Sequence, residues 1–159
     1  FGTHCLKCGN SSTATDGYAT FGNISAITMG DESDWECTFW YKSASSGSED
    51  HDIFFRGVAG SWGAGSRRIR IMANGVVRMA VATVSNSQVN TTTNVRDGNW
   101  HQITCRYDSD ASRGSIIIDG KLEARGTLDS EASVGSDVVV FCMASSEAYY
   151  LQGLAFRNF

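Results

Sequence analysis

The chain has 159 residues, a length at which one core buries roughly 70% of the unfolded surface, so a single domain is expected. With 42% hydrophobic and 19% charged residues it lies far from compositions that stay disordered, and a formal charge of -4 with a pI near 5.3 opposes binding to phosphate backbones. No stretch approaches the ~20 consecutive apolar residues of a membrane-spanning helix, so a soluble fold with neither a nucleic-acid partner nor membrane insertion is expected.

Phe1 in place of a methionine reads as a processed or trimmed start. In the first short strand Leu6 and Cys8 would face inward and Cys5 and Lys7 outward. Cys5 and Cys8 beside His4 suggest metal or redox chemistry, but a structural zinc site needs a second ligand pair that is missing at suitable spacing; a Cys5–Cys8 bridge fits an oxidising setting. The five cysteines, Cys5, Cys8, Cys37, Cys105 and Cys142, are odd in number, so at least one thiol stays free or pairs between chains.

From there hydrophobic residues recur with period two, and Gly, Asn, Asp and Ser clusters interrupt them every ten residues or so. Trp35, Cys37, Phe39 and Tyr41 share the core face of one strand. Asp52 to Val58 is another strand. Arg68 to Met72 and Val76 to Val84 form a hairpin around Asn74-Gly75, which accepts the positive φ angles of a two-residue turn. Arg68 and Arg70 share one face of that strand, read as solvated.

Trp100 to Tyr107 alternates again, with Ile103, Cys105 and Tyr107 on one face and Gln102, Thr104 and Arg106 on the other. Gly114 to Ile118 and Lys121 to Ala124 form a second hairpin around Asp119-Gly120. Val138 to Met143 is apolar on both faces and belongs inside a sheet; Leu154 to Phe156 is the last strand. No segment of period 3.6 appears, so the fold class is all-β, a two-sheet antiparallel sandwich.

Several segments together resemble the laminin-G-like, concanavalin-A-like jelly-roll family. Asp16 to Gly22 resembles its opening strand, and Trp35 to Lys42 its aromatic strand, with Phe39-Trp40 and Lys42 in matching places. Asp97-Gly98-Asn99-Trp100-His101 resembles its Asp-Gly-x-Trp-His segment, Gly114 to Leu122 its Asp-Gly-Lys hairpin, and Gly153 to Phe159 its closing strand. The resemblance spans nearly the whole chain. It implies an extracellular, cell-surface or virion-surface module that adheres or binds carbohydrate or glycoprotein, with calcium as cofactor. A fold also hosts unrelated functions, so the residues must carry the site.

Sugar binding needs an aromatic ring to stack on a pyranose face, with planar polar groups beside it. Trp62, in the glycine-flanked stretch Gly60 to Gly65 and followed by Arg67, is one candidate, and Tyr149-Tyr150, placed before the last strand, is the other; aromatics on a sandwich rim also serve as loop plugs. Asp31 and Asp34 are candidate calcium ligands, although the Gly30 to Asp34 segment matches no defined calcium loop and acidic turns are commonly just solvated. Glu32, Asp34 and Glu36 put three carboxylates on one strand face, as in some jelly-roll glucanases, and make glycoside hydrolysis the rival enzymatic reading. His101 shares the parity of Ile103 and reads as a packed core-edge histidine, and Trp100 as the anchor of its strand's end. Asn10, Asn23 and Asn90 head N-glycosylation sequons. The expectation is a non-catalytic recognition module. Its alternative is a self-associating subunit of a filament, fibre or virion, joined through exposed strand edges.

Overall fold

Alternation of apolar and polar side chains gives twelve β-strands and no helix among the described residues, which in this computed structural model are 6–8, 19–20, 34–43, 48–57, 66–81, 87–128, 138–141 and 149–158. The strands are β1 (Leu6–Cys8), β2 (Ala19–Thr20), β3 (Trp35–Ser43), β4 (His51–Gly57), β5 (Arg67–Ile71), β6 (Val77–Val81), β7 (Ser87–Asn90), β8 (His101–Asp108), β9 (Arg113–Ile118), β10 (Lys121–Thr127), β11 (Val138–Phe141) and β12 (Tyr149–Asn158). They form two six-stranded sheets, a front sheet in the order β1-β12-β3-β8-β9-β10 and a back sheet in the order β2-β11-β4-β5-β6-β7. Every neighbouring pair is antiparallel, the two-sheet jelly roll expected from the sequence.

β3 shows why the sheets face each other. Trp35, Cys37, Phe39 and Tyr41 are buried, while Glu36, Thr38, Trp40 and Lys42 between them are half-buried on the outer face. In register with them on β8, Cys105 lies opposite Cys37 and Ile103 opposite Phe39. The back sheet contributes Ile69, Ile71, Val77, Met79 and Val81 to the same core. Trp35, Phe156 and Phe54 stack in a row, with ring centroids 5.9 and 5.8 Å apart, and so link β3 and β12 of the front sheet to β4 of the back sheet. Each such side chain contributes about 1.5–3 kcal/mol through burial. The Cys37 and Cys105 thiols are free and fully buried. Burial, helped by the charge of Glu36, pushes the Cys37 thiol up to about 12, and burial raises Cys105 as well, so both act as small protonated hydrophobes.

Four details depart from the sequence-based expectations. The Asn74-Gly75 hairpin is not closed by a two-residue turn, because only Gly75 has positive φ, at +83°. Gly75 N–H donates to the Met72 carbonyl and Met72 N–H to the Val76 carbonyl, each at 2.8 Å, which makes a three-residue loop ending in a glycine bulge. β4 does not alternate: a bulge between Asp52 and Phe54 breaks the period, and His51 through Arg56 are all buried. Arg68 and Arg70 are half-buried and ion-paired where solvated side chains were expected; Asp52 accepts from Arg70 Nε and Nη2 at 2.6 and 2.7 Å, and Asp50 from Arg70 Nη1 at 2.7 Å. Finally, Tyr149 and Tyr150 lie inside the last strand, since β12 continues through an irregularity between Gln152 and Ala155, with Gly153 at φ +63°.

Candidate functional site

One corner of the front sheet gathers the segment 97–100, the β9–β10 turn, the end of β3 and the start of β12. Gly98 N–H donates to the Ser43 carbonyl at 3.0 Å and Asp119 N–H to the Gln102 carbonyl at 2.9 Å, tying three of these pieces together. Asp97 folds its own segment: Oδ1 accepts Asn99 N–H at 2.8 Å and Oδ2 accepts Asn99 Nδ2 at 3.0 Å.

His101 bridges this segment to the hairpin turn. Its Nε2 lies 3.1 Å from Asp97 Oδ1 and its Nδ1 2.7 Å from Asp119 Oδ2, while Asp119 Oδ1 accepts Gln102 N–H at 2.8 Å. Both ring nitrogens can donate to carboxylates only in the imidazolium form. Partial burial alone would pull the His101 pKa down, but the hydrogen bonds to Asp119 and Asp97 and their charges outweigh it and raise the value above 6.5. Hydrogen bonds from the Asn99 side chain and backbone, with a smaller contribution from His101, lower Asp97 to about 2. The core-edge histidine expected from parity is therefore an ion-paired clamp.

Within this clamped segment Trp100, expected to anchor its strand's end, is 37% exposed and so presents part of its ring to solvent. It shares the parity of Gln102 and Thr104, which lie on the outer face of β8. On the same outer face Tyr150 of β12 lies opposite Lys42 of β3, and Trp40 of β3 lies between Gln152 of β12 and Gln102 of β8. The register irregularity of β12 falls beside Trp40, where a Cβ on Gly153 would make an ordinary contact with Trp40 Cδ1 at 3.6 Å. The corner thus presents aromatic rings with carboxamides and an ammonium among them.

The far end of the same sheet carries the acidic residues. Asp34 Oδ1 accepts Ser109 N–H and Oγ–H, each at 2.8 Å, and these bonds lower its pKa. Glu36 Oε2 is held by Arg106 Nη2 and Nε at 2.6 and 3.1 Å. Asp34 and Asp108 share a shallow depression with Arg106 and Tyr107, but among the described residues no group of three or more His, Cys, Asp or Glu could hold a metal ion. Asp31, Glu32, Trp62 and Cys5 lie outside the described residues, and for Tyr149 and Cys8 only the strand backbone is described. Arg67 is 3% exposed, on the core parity of Ile69 and Ile71, which is not where a solvent-facing ligand group stands. Of the expected ligand-binding residues, Tyr150 thus falls at the corner with its side chain described. Trp100, Lys42 and Gln102 were missed, although the alternation of β3 and β8 already put them on the outer face.

The family model for the concanavalin A-like lectin/glucanases superfamily matches residues 13–155. No curated protein matches the sequence. Among solved structures the chain is similar to the binding domain of botulinum neurotoxin DC in complex with SialylT, at 15% identity and a TM-score of 0.70, covering 94% of this chain and 38% of that one. It is also similar to Ruminococcus gnavus IT-sialidase CBM40 bound to alpha2,3 sialyllactose, at 14% identity and a TM-score of 0.57, covering 75% of each chain. Mouse laminin alpha1 domains LG4-5 match at 14% identity and a TM-score of 0.64, covering 98% of this chain and 42% of that one. The chain therefore spans about two fifths of the toxin and laminin chains. At these identities the likeness establishes the fold.

Proposed function

The chain belongs to the concanavalin A-like lectin/glucanase superfamily, and from that premise we propose that it is a non-catalytic carbohydrate-recognition module working at an extracellular or particle surface. The observation that carries the proposal is the exposed Trp100, held by a clamped segment beside Asn99 and sharing a corner of the front sheet with Tyr150. An indole fixed in place loses little entropy when a sugar's C–H face stacks on it, and carboxamides alongside supply planar donors and acceptors for hydroxyls. The toxin binding domain in complex with SialylT and the CBM40 bound to sialyllactose lend support, since both are binding domains on this fold.

Hydrolysis by Glu32, Asp34 and Glu36, of which Glu32 lies outside the described residues, has less to recommend it. A general acid needs a raised pKa, whereas the hydrogen bonds from Ser109 lower that of Asp34, and Glu36 is engaged by Arg106. A glycan-array measurement tests the proposal: the wild-type chain binds a defined set of glycans, and Trp100→Ala weakens that binding at least about fivefold, since a stacked aromatic is worth on the order of 1–3 kcal/mol. Absence of binding to every glycan, or full binding by the variant, removes the proposal. Repeating the measurement with a calcium chelator tests Asp31 and Asp34 as calcium ligands, a role that predicts loss of binding on chelation.

A further inference from the structure

We infer that the outer face of the front sheet beside this corner takes an acidic oligosaccharide, with its rings on Trp100, Trp40 and Tyr150 and a sugar carboxylate on Lys42, a ligand class that presupposes the carbohydrate recognition proposed above.

The placement follows from register. Tyr150 and Lys42 are directly paired, and Gln152, Trp40 and Gln102 form the next outward-facing row across three strands. With strands about 4.8 Å apart and outward residues about 6.6 Å apart along each strand, Trp40 stands about 8 Å from Tyr150, and Trp100 directly precedes His101, the first residue of β8, which pairs with Tyr41. The rings therefore span more than one pyranose, and a ligand touching all three has at least two sugar units.

The charge follows from counting which groups are already engaged. Each of the four oxygens of Asp97 and Asp119 accepts a hydrogen bond, from Asn99, His101 or Gln102. Glu36 is taken by Arg106 and Glu123 by Lys121 at 2.8 Å. Lys42 is half-buried and, among the described residues, its side chain makes no ion pair or hydrogen bond. Among the described residues the side chains of Tyr150, Trp100 and Gln102 are likewise without hydrogen-bond or ion-pair partners. An ammonium among aromatic rings, with Asp97 and Asp119 engaged elsewhere and no described acid paired with it, is matched by an anionic group on the ligand. A neutral glycan would leave it unmatched.

The test uses the full chain against immobilised uronic-acid and sialic-acid oligosaccharides of two to six units, each presented with free carboxylates and as methyl esters. Esterification removes the charge and leaves the ring faces intact. The wild type is expected to prefer a free-acid form by about tenfold, the discrimination of one charge-assisted hydrogen bond. In Lys42→Gln that preference falls to about onefold, because binding of the free acid weakens about tenfold more than binding of the ester. Trp40→Phe, which keeps a ring on the face, weakens both forms together; an unchanged pattern of tryptophan indole N–H resonances in Lys42→Gln confirms that the sheet is intact. Equal binding of acid and ester by the wild type, or a preference that survives Lys42→Gln, overturns the acidic-ligand inference and leaves carbohydrate recognition standing. Failure to bind either form, with no other glycan bound on the array, overturns both.

Discussion

The two glycine hairpins of this molecule share a sequence signal and little else. Around Asp119-Gly120 both residues have positive φ, +51° and +80°, and the strands close directly from Ile118 to Lys121, as a two-residue turn requires. The turn is open, and a Cβ on Gly120 would meet nothing within 4 Å. Around Asn74-Gly75 the chain takes one residue more and is packed from outside. Asn94 lies on Gly75 so closely that a Cβ there would fall 1.7 Å from its Oδ1, and Val95 N–H donates to the Gly75 carbonyl at 3.1 Å. Beside this turn the buried Arg96 ties Ala73 to Glu49 through their carbonyls, at 3.3 and 2.7 Å. A glycine dipeptide marks where a chain reverses. What sits on the reversal decides its length and its tolerance of change.

The sharpest way to break this contrast is Gly75→Ala. The added methyl requires a left-handed backbone of a residue that resists it and also displaces Asn94, whose Oδ1 accepts Arg96 N–H at 2.7 Å. A loss of about 3 kcal/mol is expected, measured as a fall in the urea midpoint at unchanged slope. Gly120→Ala meets the same φ penalty with no overlap, so about 1 kcal/mol is expected, with hairpin and binding corner intact. Equal losses in the two variants would mean that backbone strain alone governs both turns and that the packing of Asn94 is irrelevant.

How much could be read without coordinates follows the same division between local and distant causes. Period two placed Trp35, Cys37, Phe39 and Tyr41 inside, because an alternation that long admits one buried face. It also put Gln102, Lys42 and Trp40 outside, yet nothing local says that these side chains from three strands share one corner, since a register between Trp40 and Gln102 is set by the whole sheet. Bulges defeated the rule where they fall. The one at Asp52–Phe54 turned an expected alternating strand into a fully buried one, and the irregularity at Gly153 hid the first half of β12, so that Tyr150 read as a residue before the strand. His101 could be assigned to the core edge from Ile103, but its two carboxylates lie 4 and 18 positions away in the sequence, and only the hairpin brings Asp119 to it.

That clamp provides the smallest expected effect and the one that links turn to site. The carboxylates of Asp97 and Asp119 face the His101 ring; on β3 its register partner is Tyr41, whose hydroxyl is 2.8 Å from His51 Nδ1. Because the folded His101 pKa is raised, its contribution is complete below the ordinary value near 6.5 and is lost as pH rises through the folded value. Asp97, lowered to about 2, contributes above its ordinary value of 3.8 and loses that contribution only as pH falls toward about 2. Between roughly pH 4 and 6.5 the clamp is therefore whole. The stability advantage of the wild type over His101→Gln should be flat across that window and shrink toward pH 8.5, by under about 1 kcal/mol because the pair is screened by solvent. Urea midpoints of both proteins at pH 5.5 and 8.5 measure it. An advantage that grew with pH would mean that a neutral His101 is what the segment 97–100 needs, and that the two carboxylates do not hold Trp100 in place.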